Sequence, residues 1–170
     1  MKKIMPVILG VAFVGVMIFL LVGMGKFQGA PAEPMDLSMP EKWQEFTRTS
    51  FTDGKDAMGL FQKEHDKKVR FNQGAKADYA DGKATFTVWV APGSDEGNAN
   101  QMVVEMSNKV GTTGKTFTTS SMLDLNGVTI FRAEGQGAVN YFYAKGRKVY
   151  WVAVKGGDAD ALIKRIHPDF

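Results

Sequence analysis

The chain contains only two histidines, so a catalytic triad or a histidine-bound metal would need His65 or His167. Glu64 and Asp66 flank His65, but consecutive residues of a helix or strand point in different directions and do not converge on one atom. His167 follows the last predicted helix, where the negative end of the helix dipole favours a protonated imidazole. Both histidines therefore have structural explanations, and we predict that neither is catalytic.

Three other motifs that could do chemistry are incomplete. Ser120 and Ser121 lack the G-x-S-x-G turn that exposes a nucleophile. Residues 111–116, GTTGKT, resemble the end of a phosphate-binding loop, but Lys109 stands where the first glycine is required, and the segment leaves a helix to enter a strand. The chain has no cysteine, which excludes disulfides and cysteine-bound metals. We predict no catalytic residue, no cofactor and no metal site, and hence that the protein is not an enzyme.

The balance of charges argues against a nucleic-acid partner. The chain carries 21 basic and 18 acidic residues, with a net charge of +3. A nucleic-acid-binding domain concentrates Lys and Arg on one face. The one basic cluster here, Lys67 and Lys68 with Arg70, is more typical of a solvated surface.

Residues 4–24 form an uncharged apolar run. At about 1.5 Å per residue, a helix of this length spans a hydrocarbon core roughly 30 Å thick. The alternative is a cleaved signal peptide, whose apolar core is about 7–15 residues long. Ala30-Pro31-Ala32 imitates its cleavage site, but the prolines and the distance from the run disfavour cleavage. The sequence therefore predicts a stub at 1–3 and a single transmembrane helix at 4–24.

The flanking charges predict the orientation of this helix. Lys2 and Lys3 precede it and Lys26 follows, which by the positive-inside rule keeps the amino terminus cytoplasmic. The domain would then lie on the periplasmic side of a bacterial inner membrane, with the lipid bilayer as one partner. Small residues within the run would let another helix pack closely, although they also suit a lipid-facing helix. These candidate helix-packing residues are Gly10, Gly15 and Gly23.

A linker and one domain are predicted after the apolar run. Residues 25–40 contain Pro31, Pro34 and Pro40 without apolar periodicity, which is typical of a semi-rigid spacer. Residues 41–170 suffice for one hydrophobic core but not for two ordinary domains.

The domain sequence predicts strands, two hairpins and a few helices. Residues 84–90 alternate as a strand. A helix follows that either Ser94 or Asp95 could cap, with apolar residues at helical spacing from Ala99 to Val110. Asn126-Gly127 joins strands 117–125 and 128–133, since both positions tolerate positive φ. A second hairpin comprises residues 139–144 and 148–154, and Asp158 begins a last helix. Short helices are expected at 41–47 and 55–66.

The predicted fold class is α+β: a transmembrane helix, then a mostly antiparallel sheet domain packed with two or three helices.

Aromatic residues of the predicted sheet are candidates for a partner interface. If their face is uncovered, it forms an apolar patch suited to a partner protein or a membrane surface. The alternative is that the amino-terminal segment, with Trp43, Phe46 and Phe51, folds over this face. The candidate interface residues are Trp89, Phe131, Phe142 and Trp151.

The order of elements over residues 37–167 resembles the PsbP-like family. The likeness rests on the Pro40–Trp43 start, the Asn126-Gly127 hairpin, the 141–154 hairpin and the terminal amphipathic helix. Members of that family are small lumenal or periplasmic domains that assist larger membrane assemblies. The resemblance implies an assisting role and assigns no binding residue.

Together these patterns predict a function as well as a fold. We expect a non-catalytic accessory or scaffolding subunit of a larger integral membrane protein complex, of photosynthetic or respiratory type. The alternatives are a free-standing periplasmic ligand-binding or assembly factor and, third, an anchored hydrolase.

Overall fold

One antiparallel sheet of eight strands dominates the part of the chain that the structure describes. A computed structural model describes residues 33–64, 72–110 and 117–169. The strand order is β1-β2-β3-β4-β8-β7-β6-β5, so only the β4–β8 contact joins strands that are distant in sequence. The strands are β1 (Lys42–Trp43), β2 (Phe46–Asp53), β3 (Ala75–Ala80), β4 (Thr85–Pro92), β5 (Phe117–Leu125), β6 (Val128–Gly135), β7 (Ala138–Lys145) and β8 (Lys148–Lys155).

Three α-helices accompany these strands among the described residues. They are α1 (Gly54–Glu64), α2 (Glu96–Lys109) and α3 (Ala159–Ile166), and a 3₁₀ turn, His167–Asp169, follows α3. The side chain of Asp95 accepts a hydrogen bond from the backbone N–H of Asn98 at 2.8 Å, and Asp158 caps α3 in the same way. Each carboxylate satisfies an N–H that the first helical turn leaves without a partner. The predicted starts of both helices are confirmed.

The tight turns of the two predicted hairpins fix the register of β5 to β8. Asn126 and Gly127 adopt φ angles of 57° and 80°, the left-handed conformation of a two-residue hairpin turn. Lys145 pairs with Lys148 across the second turn. Both predicted hairpins are confirmed.

One face of the sheet, which we call the first face, carries the larger core. Tyr79, Phe86 and Tyr141 are almost wholly buried there. They are covered by α3, through Leu162, Ile163 and Ile166, and by the chain that leads into β1. Leu37 and Met39 of that chain are buried as well. The packed domain thus begins within the predicted linker, because two of its apolar side chains reach the core.

The opposite face, which we call the second face, lies beneath α1 and α2. Ala99 and Val103 of α2 pack against Phe142 and Val149. Phe61 of α1 packs edge-on against Trp89, with ring centroids 4.6 Å apart. Helices therefore lie on both faces of the sheet.

The predicted fold class is wrong in its transmembrane helix. Among the described residues, no helix is long and apolar enough to cross a membrane. Residues 4–24, for which that helix was predicted, lie outside the described residues, as do the stub and residues 25–32 of the linker. The described fold is the antiparallel sheet with its three helices, and the membrane-anchor part of the prediction is withdrawn.

The amino-terminal third of the domain also differs from expectation. Residues 41–47 were predicted as a short helix but form β1 and the start of β2. Gln44 turns the chain between them with a φ of 51°, and Trp43 pairs with Phe46. The short apolar stretch contains too few residues to distinguish helical from strand periodicity. Strand β3 was not predicted, because alanines alternate there with polar residues.

Candidate functional site

The four candidate interface residues lie side by side on the second face. Trp89 is opposite Trp151, Trp151 is opposite Phe142, and Phe142 is opposite Phe131. The rings of Phe142 and Trp151 stack with centroids 5.1 Å apart, and those of Phe131 and Phe142 at 5.5 Å. Alternation along the strands places them on one face, and the register aligns them. We call these four residues the aromatic row.

Helices cover most of the aromatic row. Phe142 is fully buried and Trp89 is 6% exposed, whereas Phe131 and Trp151 are half-buried. Of the two alternatives left open by the sequence, an uncovered face does not describe Phe142 or Trp89. The cover is supplied by α1 and α2, since Trp43 and Phe46 belong to the core of the first face.

The aromatic row is open at one end. Phe131 lies opposite Met122 of β5, and the side chain of Met122 is 67% exposed. Strand β5 is the last strand of the sheet on this side. Methionine is flexible and polarizable, and it is common on surfaces that adapt to partner proteins. The exposed Met122 and the half-buried Phe131 therefore form a small apolar surface at the edge of the domain.

A polar cluster closes the other end of the aromatic row. Lys76 Nζ lies 5.3 Å from the ring centroid of Trp89 and 2.9 Å from Asp78 Oδ2. The hydroxyls of Ser50 and Thr87 also donate to Asp78. Burial alone would raise the pKa of Asp78, but the hydrogen bonds from Ser50, Thr87 and Lys76 outweigh it and lower that pKa. Ser50, Thr87 and Lys76 thus all stabilise the ionised form of Asp78.

A second polar cluster ties α3 to the first face. Arg132 Nε donates to Asp160 Oδ1 at 3.1 Å, and Arg132 Nη1 lies 2.8 Å from Glu134 Oε1. The hydroxyl of Tyr141 donates to the same oxygen of Asp160. The hydrogen bond from Tyr141, followed by that from Arg132, lowers the pKa of Asp160. Asp160 remains ionised at neutral pH, and its contacts are structural.

His167 is buried rather than placed at a solvent-exposed helix end. Only 2% of it is exposed, and its ring stands edge-on to Tyr143 at 5.1 Å. Neither ring nitrogen has a hydrogen-bond partner among the described residues, and the hydroxyl of Tyr143 has none there either. Burial, followed by the charge of Lys145, lowers the pKa of His167. The lowered pKa favours the neutral imidazole at pH 7, whereas the helix dipole alone would favour the protonated form.

The remaining candidate sites are weak or lie elsewhere. Among the described residues, no group of three or more His, Asp or Glu side chains could hold a metal ion. An open depression of about 380 Å³ lies between the β6–β7 turn and the start of α3, lined largely by glycine and alanine with Glu134 as its charged group. Such a lining offers few convergent polar groups for a specific ligand.

Several predicted features lie outside the described residues. They are the helix-packing glycines Gly10, Gly15 and Gly23, the histidine His65, the basic cluster at 67–70 and the loop at 111–116.

Sequence reasoning missed Met122 and the cluster around Asp78. Met122 was assigned to a strand, but its exposure depends on β5 being the last strand of the sheet, which the hairpin signal does not reveal. Ser50, Asp78 and Thr87 converge only through the pairing of β2, β3 and β4. The alternation of alanine with polar residues in β3 was the available signal for Asp78.

Comparison with known proteins found no matching family model, no similar curated protein and no similar solved structure. The resemblance to the PsbP-like family therefore stays a prediction. We therefore infer the function of this chain from its fold and from the surfaces of its described residues.

Proposed function

We propose that this protein is a non-catalytic accessory or scaffolding subunit that binds another protein chain at the open end of its aromatic row. The observation that carries the proposal is the exposure of Met122 at the edge of the sheet, in register with Phe131. Aromatic residues and methionine are enriched in protein interfaces relative to the rest of the surface.

The polar side chains support a binding role over a catalytic one. Asp78 is engaged by Ser50, Lys76 and Thr87. Asp160 is engaged by Arg132 and Tyr141. A catalytic acid or base needs a substrate within hydrogen-bond reach, whereas the hydrogen bonds described for these two carboxylates all come from neighbouring residues of the domain.

The larger assembly and its location stay predictions. A complex of photosynthetic or respiratory type, and a position on the outer side of a bacterial inner membrane, rest on the sequence alone. The proposal on the described residues is restricted to the contact surface around Met122 and Phe131.

A charge at the centre of this surface tests the proposal. The wild-type full chain and the full chain carrying Met122→Lys are each isolated from the source under mild conditions. The amount of partner protein that remains bound per copy of the chain is then measured. We expect wild type to retain a partner chain in fixed stoichiometry. We expect Met122→Lys to lose it, because burying an unpaired ammonium group costs several kcal/mol.

A matched substitution on α2 controls for the added charge. Val104 is also apolar and 48% exposed, so Val104→Lys changes the net charge equally without touching β5. We expect Val104→Lys to retain the partner. Loss of the partner in both variants, or in neither, would contradict the proposed surface.

A further inference from the structure

The two edges of the sheet are protected very differently. At one edge, β1 pairs with the start of β2, and the carbonyl of Glu41 accepts a hydrogen bond from the backbone N–H of Arg48. The register of β2 is then interrupted between Arg48 and Ser50. Bulges, charged residues and short edge strands are the devices by which proteins prevent edge pairing. The β1–β2 edge uses all three.

No described strand pairs with the outer side of β5. Strand β5, FTTSSMLDL, contains no Lys, Arg, Pro or Gly. Its register with β6 is irregular only between Phe117 and Thr119, so residues 119–125 form a regular run. Among the described strands β5 has a neighbour on one side only, and its outer N–H and C=O groups face away from the sheet. A regular edge without charge at its centre is a template for another strand.

We infer that β5 pairs antiparallel with β5 of a second copy of this chain, around a twofold axis at Met122. This inference rests on the proposed function, because it names the partner of the same surface. Met122 is the midpoint of the regular run 119–125, and it is the most exposed large apolar side chain among the described residues. A twofold axis at this residue lays each Met122 side chain against its copy. Twofold interfaces of this kind are the commonest between identical chains.

The side chains of β5 suit this register. Asp124 is the one charged residue of the strand, and it would lie opposite position 120, a serine. The two copies of Asp124 would be separated by about 13 Å along the strands, at roughly 3.3 Å per residue. This exceeds the screening length of about 8 Å in physiological salt. No like charges are opposed, whereas apolar positions meet at the centre.

The same strand could instead receive an extended segment of a different protein. The midpoint position of Met122 favours a second copy, because a twofold axis converts one exposed apolar side chain into a contact between two. A different partner needs no symmetry about residue 122. The position of a cross-link between copies therefore separates the two occupants.

The chain has no cysteine, so one introduced thiol reports a single position. Directly opposed residues of antiparallel strands have Cβ atoms about 4.5–5.5 Å apart, close enough for a disulfide after a small adjustment. We expect the full chain carrying Met122→Cys to form a covalent dimer under mild oxidation at low protein concentration. Thiols held together react at an effective concentration in the mM range.

Two matched cysteine variants control for random collision. Val104→Cys places a thiol on α2, and Phe51→Cys places one on β2, at the protected edge; both parent side chains are exposed. We expect about tenfold less dimer from either variant than from Met122→Cys. Equal cross-linking at all three positions would overturn the inference.

The mass of the full chain in solution gives the second readout. Light scattering should give the mass of two copies for wild type and for Val104→Lys, and of one copy for Met122→Lys. A one-copy mass for wild type, or a two-copy mass that Met122→Lys leaves unchanged, would overturn the self-pairing. If wild type is a single copy yet loses a different protein on Met122→Lys, the self-pairing fails and the proposed function stands. If neither a second copy nor a different protein depends on Met122 for binding, the self-pairing and the proposed function are both wrong.

Discussion

Individual side chains with lowered pKa values contribute to the way this domain responds to pH. His167 is neutral because burial opposes its charge, and no described residue accepts a hydrogen bond from it. Asp160 is ionised because Tyr141 and Arg132 both donate to it. The two residues flank opposite ends of α3, so both tie this helix to the first face of the sheet.

We expect His167 to make the protein less stable as the pH falls below about 6.5. Its folded pKa lies below the unfolded value of about 6.5, so the unfolded chain takes up the proton first. The contribution of neutral His167 to the free energy of unfolding is fully present above about pH 6.5, and it is lost as the pH falls through the folded pKa. Urea unfolding between pH 7.5 and pH 5 measures it. His167→Phe should flatten this dependence, whereas equal slopes for wild type and variant would contradict the assignment.

Removal of the Asp160 carboxylate should destabilise the domain. Asp160→Ala leaves Arg132 and the buried hydroxyl of Tyr141 without their shared acceptor, which costs about 1–2 kcal/mol of unfolding free energy. Glu134→Ala removes a carboxylate of similar exposure that contacts Arg132 but not Tyr141, so it leaves no buried hydroxyl unpaired and should cost less than about 1 kcal/mol. Chemical denaturation of both variants at pH 7 compares them, and equal losses would contradict a special role for Asp160.

At the scale of elements, α2 covers the members of the aromatic row to different extents. Phe142 packs beneath Ala99 and Val103 of α2, whereas Phe131 is half-buried beside Met122. The same row is therefore core at its centre and surface at its β5 end.

Truncation at the two positions should have unequal costs. Phe142→Ala removes a fully buried ring and should lower the unfolding free energy by about 3–5 kcal/mol. Phe131→Ala removes a half-buried ring, and about 1–2 kcal/mol is expected because the cavity is open to solvent. Urea denaturation of both variants measures the difference. A loss at Phe131 as large as that at Phe142 would show that the β5 end is also closed core.

The hairpins and helix starts were predictable because their signals are local. Asn126-Gly127 specifies a two-residue turn, and Asp95 and Asp158 are caps that bond to a residue three positions later. Local signals also placed the aromatic row on one face. The cover over Phe142 depends on where α2 crosses the sheet, and the exposure of Met122 depends on β5 being at an edge. Both are properties of the tertiary arrangement, which periodicity does not encode.

At the scale of the whole molecule, the described chain is one sheet with helices on both faces and with one unprotected edge strand, β5. Its faces are covered by α1 and α2 on one side and by α3 and the residues near Leu37 on the other. The β1–β2 edge is protected, so β5 is the surface through which an added strand would extend the sheet. We expect this edge to be occupied when the protein functions.

Hydrogen exchange of the backbone amides in residues 119–125 tests this claim most directly. In the assembled full chain, we predict that the outward-facing amides of β5 exchange slowly, because they are bonded to another strand. Met122→Lys should return them to rapid exchange, whereas Val104→Lys should leave them protected. Rapid exchange of these amides in the assembled wild-type protein would contradict the account.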